Sequence, residues 1–293
     1  MAYRIRHGRL DDQDHIAAFT RETFTWGDYV AGALPTWIAD PNGLVVVAVA
    51  DDDVPVAMSR ATMLSPAEAW FQGARVHPDH RRRGLAGAMA SSLESWAAQR
   101  GARVARLLVE EWNAPARAQV EHDGFRPVGD WGFAERAVGA ASPLTGGNGG
   151  RRVPALEQLV RAHSAEAEPA FMSWSAGPLG RAGRGMLAVG WTMRRLTVAD
   201  LEAAGRDGAL WAARSGWVVA TRDEESIDVG WLETREEDAP DLMRALVDLA
   251  MKRDAERLTA KLPAVRWLTT AARRAGCEVH GLVVYEKPLA SSQ

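Results

Sequence analysis

The chain has 293 residues, of which 47% are hydrophobic and 25% are charged, so it can bury one large core or two smaller ones. Its formal net charge of −3 provides no overall positive potential to attract nucleic acid or an anionic membrane. The single cysteine, Cys277, cannot form an intramolecular disulfide, and no Cys or His spacing indicates a metal site. The N-terminus lacks the apolar run of a signal peptide, and no uncharged stretch approaches the ~20 residues of a membrane span. We therefore expect a soluble, cytoplasmic protein with no metal, no nucleic-acid partner and no membrane partner.

The first part of the sequence predicts strands and helices that build one central sheet. Residues 44–50 are a continuous, mostly β-branched run, which indicates a strand buried on both faces. The apolar face of the longest predicted helix consists of Leu85, Met89, Leu93 and Trp96. In chain order we predict a strand at 3–6, helices at 14–24 and 29–39, strands at 44–50, 54–63 and 70–76, a helix at 84–100, a strand at 106–110, a helix at 115–122 and a pair of strands within 124–138.

A glycine-rich segment, residues 141–150, is the only convincing linker and divides the chain into domains at 1–140 and 151–293. Beyond it the pattern partly repeats, because Arg106 matches Arg257 and Gly124 matches Gly276 at nearly the same separation. This favours a tandem repeat over two unrelated α/β domains. The later elements are predicted as a hairpin at 209–213 and 217–221, a strand at 227–232, a helix at 239–253, a strand at 257–261, a helix at 265–275 and a closing pair of strands at 276–285.

One loop in the first domain has the composition of an anion site. Residues 76–89 read VHPDHRRRGLAGAM, so that a strand ends, three arginines follow and a helix begins at Gly84. The first turn of a helix has N–H groups without intrahelical acceptors, and small residues let a ligand approach them closely. A diphosphate fits this environment, and arginines supply cations for its oxygens. The alternatives are a solvated loop or an RNA-binding patch.

The same loop resembles motif A of the GNAT superfamily of N-acetyltransferases, the site of the acetyl-coenzyme A diphosphate. The resemblance is carried by Arg81-x-x-Gly84-x-Ala86, preceded by Val76-x-Pro78, in the same strand–loop–helix context. It implies a GNAT fold, which is an α/β fold with a mixed central sheet flanked by helices. Together with the internal repeat, it implies two tandem GNAT-like domains.

A second segment is similar to motif B of the same family. It reads Asn113-x-x-Ala116-x-x-x-Val120-x-x-x-Gly124-Phe125, whereas the family commonly has tyrosine at the position of Val120. That tyrosine often serves as the general acid for the thiolate that leaves. Because valine donates no proton, the departure favours slow transfer, another proton donor or loss of activity.

The resemblance implies a set of residues that bind acetyl-coenzyme A, the co-substrate. The backbone of the strand at Ala74 and Val76 would pair with the pantetheine arm, and Asn113 would steady the end of that arm. The remaining implied residues are Arg81, Arg82, Arg83, Gly84, Leu85, Ala86, Gly87 and Ala88 around the diphosphate, and Ala116 in the second motif.

An amine must lose a proton before it attacks a thioester, and the family commonly uses a carboxylate for this step. Glu68 is the first candidate, because strand alternation places it on the same face as Ala74. Glu110 and Glu111, where the next strand ends, are the second. Each of the three is otherwise interpreted as an exposed glutamate at a strand end.

The chain has twelve tryptophans, some of which fall near elements that surround the acceptor cleft in GNAT folds. They predict either an aromatic or cationic acceptor or, as we favour, ordinary core residues. The four concerned are Trp26, Trp37, Trp70 and Trp112.

The second half has no equivalent of motif A, because residues 231–240 carry four acidic side chains that would repel a diphosphate. We interpret it as a degenerate GNAT-like domain. The sequence therefore predicts an N-acetyltransferase that uses its first domain for direct attack by a small-molecule or peptide amine in a ternary complex. The alternatives are an inactive coenzyme A-binding sensor and an acyltransferase with a different acyl donor. We expect a monomer or a homodimer.

Overall fold

The computed structural model describes residues 2–23, 27–139, 159–214 and 216–290. The chain divides into two compact units that each combine distant segments of the sequence. The first unit is Met1–Leu108, Pro115–Arg126 and Tyr285–Gln293, and the second is Val109–Ala114 and Pro127–Val284. The predicted linker, 141–150, lies outside the described residues, so the predicted domain boundaries stay a prediction.

Up to α4 (Ala114–His122), the first unit contains the strands and helices in the order that we predicted. Its strands are β1 (Arg4–His7), β2 (Gly43–Val49), β3 (Pro55–Ser65), β4 (Glu68–Val76) and β5 (Val104–Glu110), which lie in that order in the sheet. Its helices are α1 (Gln13–Thr20), α2 (Val30–Ala39), α3 (Leu85–Gln99) and α4 (Ala114–His122). Neighbouring strands are antiparallel except β4 and β5, which are parallel.

Helices cover both faces of this sheet, as the apolar run of β2 predicts. Val45, Val47 and Val49 pack with α1 and α2, and the alternate residues Val46 and Ala48 are equally buried on the other face. There α3 contacts β2 and β3. A strand covered on both faces needs apolar side chains at every position, which explains the absence of alternation.

The apolar face of α3 differs from the prediction at one position. Leu85, Met89 and Leu93 are buried, but the fourth buried residue is Ala97 and not Trp96. The indole of Trp96 is only partly buried, and the guanidinium carbon of Arg100 lies 4.5 Å from its ring centroid. The ring therefore takes part in a cation–π contact with a residue one turn along the helix.

The second unit repeats a parallel strand pair among antiparallel strands. Its strands are β6 (Arg126–Ala137), β7 (Val160–Arg161), β8 (Met186–Val189), β9 (Thr192–Arg195), β10 (Leu210–Ala213), β11 (Gly216–Asp223), β12 (Ser226–Glu233), β13 (Arg257–Pro263) and β14 (Glu278–Pro288). Its helices are α5 (Ala167–Ala176), α6 (Pro178–Ala182), α7 (Val198–Arg206), α8 (Ala239–Lys252) and α9 (Arg266–Arg274). The sheet order is β6-β13-β12-β11-β10-β7, with β12 and β13 parallel.

The two closing strand pairs that we predicted are wrong, because each is one long strand. β6 runs unbroken and pairs with β13 from Ala137 opposite Arg257 to Trp131 opposite Pro263. β14 likewise runs unbroken from Glu278 to Pro288. Both strands find partners far away in the sequence, so neither folds back on itself.

None of the described helices combines the length and the apolar character needed to cross a membrane.

Candidate functional site

The parallel strands β4 and β5 of the first unit form a fork. They pair at only three positions, Glu68 to Trp70 with Val104 to Arg106, although both strands continue beyond this point. Past the fork Ala74 is exposed and Val76 is partly exposed, and their carbonyl oxygens accept side-chain hydrogen bonds from Arg75 and Arg81. A fork of this kind leaves strand backbone to which an extended ligand can add like another strand.

A bulge in β4 lies beside the fork. Met58 faces Arg75 and Arg60 faces Gln72, so one residue of β3 lies opposite the two residues that follow Gln72. The first of these, Gly73, has φ of +71°, and an added Cβ would lie 2.9 Å from the ring of Trp37. Only glycine meets both conditions. Sequence reasoning missed this residue, although a glycine inside a strand pattern is a known signal of a bulge.

The loop after β4 brings N–H groups to the start of α3. Arg82 and Gly84 both have positive φ, +60° and +75°, and α3 begins directly after Gly84. The first helical hydrogen bond runs from the N–H of Ala88 to the carbonyl of Gly84, so the N–H groups of residues 85–87 precede it and have no intrahelical acceptor. A Cβ on Gly84 would meet no atom within 4 Å. The N-terminus of α3 is therefore accessible to an anion.

The three arginines of this loop do not act alike. Arg83 donates hydrogen bonds to the hydroxyl of Tyr3 (2.8 Å) and to the carbonyl of Asp79 (3.2 Å). The Tyr3 hydroxyl also lies 3.0 Å from Nδ1 of His80. Arg83 thus braces the loop against the N-terminal segment. Arg81 and Arg82 are also exposed, and Nε of Arg81 donates to the carbonyl of Val76 (3.4 Å).

The first candidate base, Glu68, lies at the paired end of the fork and is buried. Its carboxylate accepts hydrogen bonds from Nη1 of Arg106 and from Oγ of Ser65 (3.0 Å). Nε of Arg106 also donates to Glu286 over 2.7 Å. Glu68 is therefore part of a buried group of charged side chains together with Arg106 and Glu286.

The other candidates follow β5 and belong to a short segment, residues 109–114, of the second unit. Glu110 is the last residue of β5 and is partly exposed. The exposed Glu111 donates its N–H to the carbonyl of Gly281 (2.9 Å), and the N–H of Asn113 donates to the carbonyl of Glu110 (3.0 Å). The roles predicted for these residues stay predictions.

Helix α4, which carries motif B, has no buried residue. Ala116 and Val120 are both partly exposed, and Phe125 after the helix is buried with its ring centroid 6.0 Å from that of Phe71. The hydroxyl of Tyr285, from β14, donates to Glu121 (2.9 Å) and accepts from Nε of Arg117 (3.1 Å). Burial, together with Glu121, raises the pKa of Tyr285. Nothing local in the sequence indicated this tyrosine, because its partners are far away along the chain.

The four tryptophans near the expected acceptor side have different surroundings. Trp37 packs on the bulge glycine, and Trp70 is buried in the fork. Trp112 is 67% exposed, and Trp26 lies outside the described residues. The half-exposed aromatic side chain beside Trp37 is Tyr29, whose ring centroid lies 5.9 Å away.

The second unit has a fork of its own, but it is filled. β12 and β13 pair at four positions, Ser226 to Val229 with Arg257 to Ala260, and then part. A Cβ on the next residue, Gly230, would overlap the carbonyl oxygen of Ala188 in β8. The strand ends at the buried Glu233, whose Oε2 has no hydrogen-bond partner and whose pKa burial raises. An acidic loop leads to α8, which begins after Asp238.

Comparison with known proteins agrees with this geometry. Residues 13–125 match the model of the Acetyltransferase (GNAT) family. No match was found among curated proteins. A GCN5-related N-acetyltransferase from Sphaerobacter thermophilus is similar in structure with a TM-score of 0.68 and 16% identity, over 99% of this chain and 98% of that one.

A second solved structure is similar along its whole length. It is a tandem GNAT protein from the clavulanic acid biosynthesis pathway, with a TM-score of 0.58 and 15% identity over 100% of both chains. Similarity at this identity shows the fold alone. The predicted fold class, a mixed sheet flanked by helices in tandem GNAT form, is confirmed. Residues 13–125 therefore match the acetyltransferase (GNAT) family in sequence, and the chain as a whole has the fold seen in a tandem GNAT protein.

Proposed function

We propose that the first unit binds acetyl-coenzyme A and transfers its acetyl group to an amine. The observation that carries the proposal is one continuous arrangement, in which the fork between β4 and β5 is followed by the loop that ends at the accessible N-terminus of α3. Unpaired N–H groups and two exposed arginines, Arg81 and Arg82, suit a diphosphate. The open part of β4 at Ala74 and Val76 suits an extended amide-bearing arm.

The acetyl group reaches the amine without a protein-bound intermediate in this proposal. The amine nitrogen forms a bond to the thioester carbon, the carbon–sulfur bond breaks and the thiolate leaves with a proton taken from the amine or from water. Cys277 is buried in the second unit, and burial raises the pKa of its thiol, so it is a poor nucleophile. Alkylation with iodoacetamide is therefore expected to leave turnover unchanged.

A carboxylate that accepts the amine proton is proposed among Glu110, Glu111 and Glu68, in that order of preference. Glu68 comes last because its carboxylate already accepts hydrogen bonds from Arg106 and Ser65. Single glutamine variants distinguish the three, since loss of the base lowers the rate of thiol release about 100-fold and leaves coenzyme A affinity unchanged. Glu68→Gln is expected to lower thermal stability as well, because it leaves the buried Arg106 with fewer negative partners.

The test is isothermal titration of the protein with acetyl-coenzyme A, together with a thiol-release assay over a panel of small-molecule and peptide amines. Binding with release that depends on the amine supports acetyl transfer and begins to define the acceptor. Absence of binding overturns the proposal. Arg83→Gln serves as the control for Arg81→Gln, because the guanidinium of Arg83 is directed at Tyr3. Only Arg81→Gln is expected to weaken binding directly.

One observation favours a second candidate function, a coenzyme A-binding sensor without turnover. Val120 stands in motif B where the family commonly has a proton donor, and its side chain is apolar. Binding of acetyl-coenzyme A without thiol release for any amine in the panel would support the sensor. Hydrolysis in the absence of an amine would contradict both candidates.

A further inference from the structure

Three consecutive residues of β14 contact the parts of the first unit that surround the candidate site. Tyr285, Glu286 and Lys287 lie near the end of the sequence, yet they are grouped with the first unit. Leu289, two positions later, donates its N–H to the carbonyl of Arg103 at the start of β5 (2.9 Å). The C-terminal segment is therefore an integral strand of this unit.

Tyr285 fixes the rotation of α4 about the helix axis. Its hydroxyl bonds to Arg117 and Glu121, which are four positions apart and so lie on one face of the helix. None of the residues of α4 is buried, so apolar packing of its own side chains contributes little to its position. The position of the helix, and with it that of Ala116, depends on polar contacts of this kind.

Lys287 joins the two helices next to the site. Its Nζ lies 2.7 Å from both carboxylate oxygens of Glu94 in α3 and 2.8 Å from the carbonyl oxygen of Asp123, which follows α4. These contacts occupy all three donors of the ammonium group. Because α3 begins directly after the loop that carries Arg81 to Gly84, the spacing between that loop and α4 depends on this side chain.

Glu286 acts at the fork itself. Its carboxylate accepts from Nε of Arg106 over 2.7 Å, and Arg106 occupies the last position at which β5 pairs with β4. Arg106 also donates a hydrogen bond to Glu68, which belongs to the neighbouring strand β4. The three neighbours thus contact the fork, α4 and α3, although none of them belongs to motif A or motif B.

We propose that residues 285–287 of the C-terminal strand are positioning residues for coenzyme A binding by the first unit. The inference rests on the proposed function. It deepens that proposal by assigning the geometry of the site to a segment outside both motifs. A small displacement of binding groups weakens binding strongly, because hydrogen bonds and ion pairs to phosphate are sensitive to distance and direction.

The test measures the dissociation constant of coenzyme A by titration, and the midpoint of thermal unfolding, for the full-length protein and two matched variants. Lys287→Met removes the ammonium group that joins α3 to the chain after α4, and we expect affinity to fall about tenfold. Lys261→Met is the control, because Lys261 forms a 2.7 Å ion pair with Asp228 within the second unit. It is expected to lower stability without changing coenzyme A affinity.

The conservative variant Lys287→Arg keeps the charge and is expected to restore most of the affinity. Equal affinity in Lys287→Met and the parent protein would overturn the inference and leave the proposed function intact. Equal weakening by Lys287→Met and Lys261→Met would also overturn it, because the effect would then follow stability alone. No binding by the parent protein would overturn the proposed function and this inference together.

Discussion

The two forks of this protein, one in each unit, share a strand arrangement and differ in what lies beyond it. In the first, β4 and β5 part and the following loop ends at Gly84, where an added Cβ would meet open space. In the second, β12 and β13 part and Gly230 is in contact with the backbone of β8. The same fold therefore provides one accessible fork and one that protein atoms fill.

The loops after the two forks also carry opposite charges. Arg81 to Arg83 follow the first fork, whereas Glu236 to Asp238 follow the second and precede α8. A helix N-terminus favours an anion in both places, but in the second the acidic side chains already supply the negative charge. The two units therefore differ in the loop between fork and helix, which is the part of the proposed phosphate site that the second unit does not share.

The largest expected effect on coenzyme A affinity comes from substitutions at Gly84, where two variants distinguish added charge from backbone strain. Gly84→Glu is expected to weaken coenzyme A binding more than ~100-fold, because a carboxylate would lie at the proposed diphosphate site. Gly84→Ala imposes the same left-handed backbone strain of about 1–2 kcal/mol without the charge, so it should cost only a few-fold in affinity. Titration measures both, and similar losses in the two variants would contradict the site.

The filled fork should respond in the opposite way. Gly230→Ala is expected to destabilise the protein by about 2–3 kcal/mol, because the added methyl group overlaps the carbonyl of Ala188. Coenzyme A affinity should not change. Gly32→Ala in α2, where a Cβ meets no atom within 4 Å, is the control and should not destabilise. Urea unfolding gives the free energies, and loss of coenzyme A binding in Gly230→Ala would show that the second fork takes part in binding.

Val120 gives the next effect, on turnover and not on binding. Val120→Tyr introduces the hydroxyl that is common at this position of the family, and we expect thiol release to rise about tenfold with unchanged coenzyme A affinity. Val120→Phe supplies the ring without the hydroxyl and is the matched control. An equal rate increase in both variants would assign the effect to packing and not to proton transfer.

Glu233, at the end of the filled fork, gives the smallest effect, which depends on pH. Burial raises its pKa in the folded state, so the folded protein retains a proton that the unfolded chain has lost. Stability is therefore lost as pH rises from the unfolded pKa through the folded one. Glu233→Gln cannot ionise and should be more stable than the parent protein by about 1 kcal/mol above that range. Thermal midpoints between pH 4 and pH 8 test this, and a constant difference would contradict it.

Much of the first unit could be predicted because its signals are local. The β-branched run of β2, the apolar stripe of α3 and the loop at Arg81 to Gly84 each lie within one short stretch of sequence. Local patterns predict local elements, and the arginine loop is local as well. Gly73 was missed although its signal was present, because a glycine in a strand was read as part of the strand and not as a bulge.

Helices α5, α6 and α7 and the hairpin of β8 and β9 were not predicted. Their segments are short, and β8 lies against Gly230 of β12, a contact that no local pattern indicates. The ion pair of Glu68 with Arg106 was also unpredictable, because Arg106 becomes a neighbour of Glu68 only when β4 and β5 pair. Periodicity shows which face a residue occupies and not which charge lies beside it.

The sequence by itself determined that residues 76–88 form a strand, an arginine loop and a helix start, since these features depend on neighbours along the chain. Only the tertiary structure decided that β6 and β14 are single long strands, and that Tyr285 and Lys287 contact α4 and α3 of the first unit. A strand takes its partners from whichever edge buries its side chains and satisfies its backbone groups. That choice is a property of the folded chain, and no local stretch of sequence contains it.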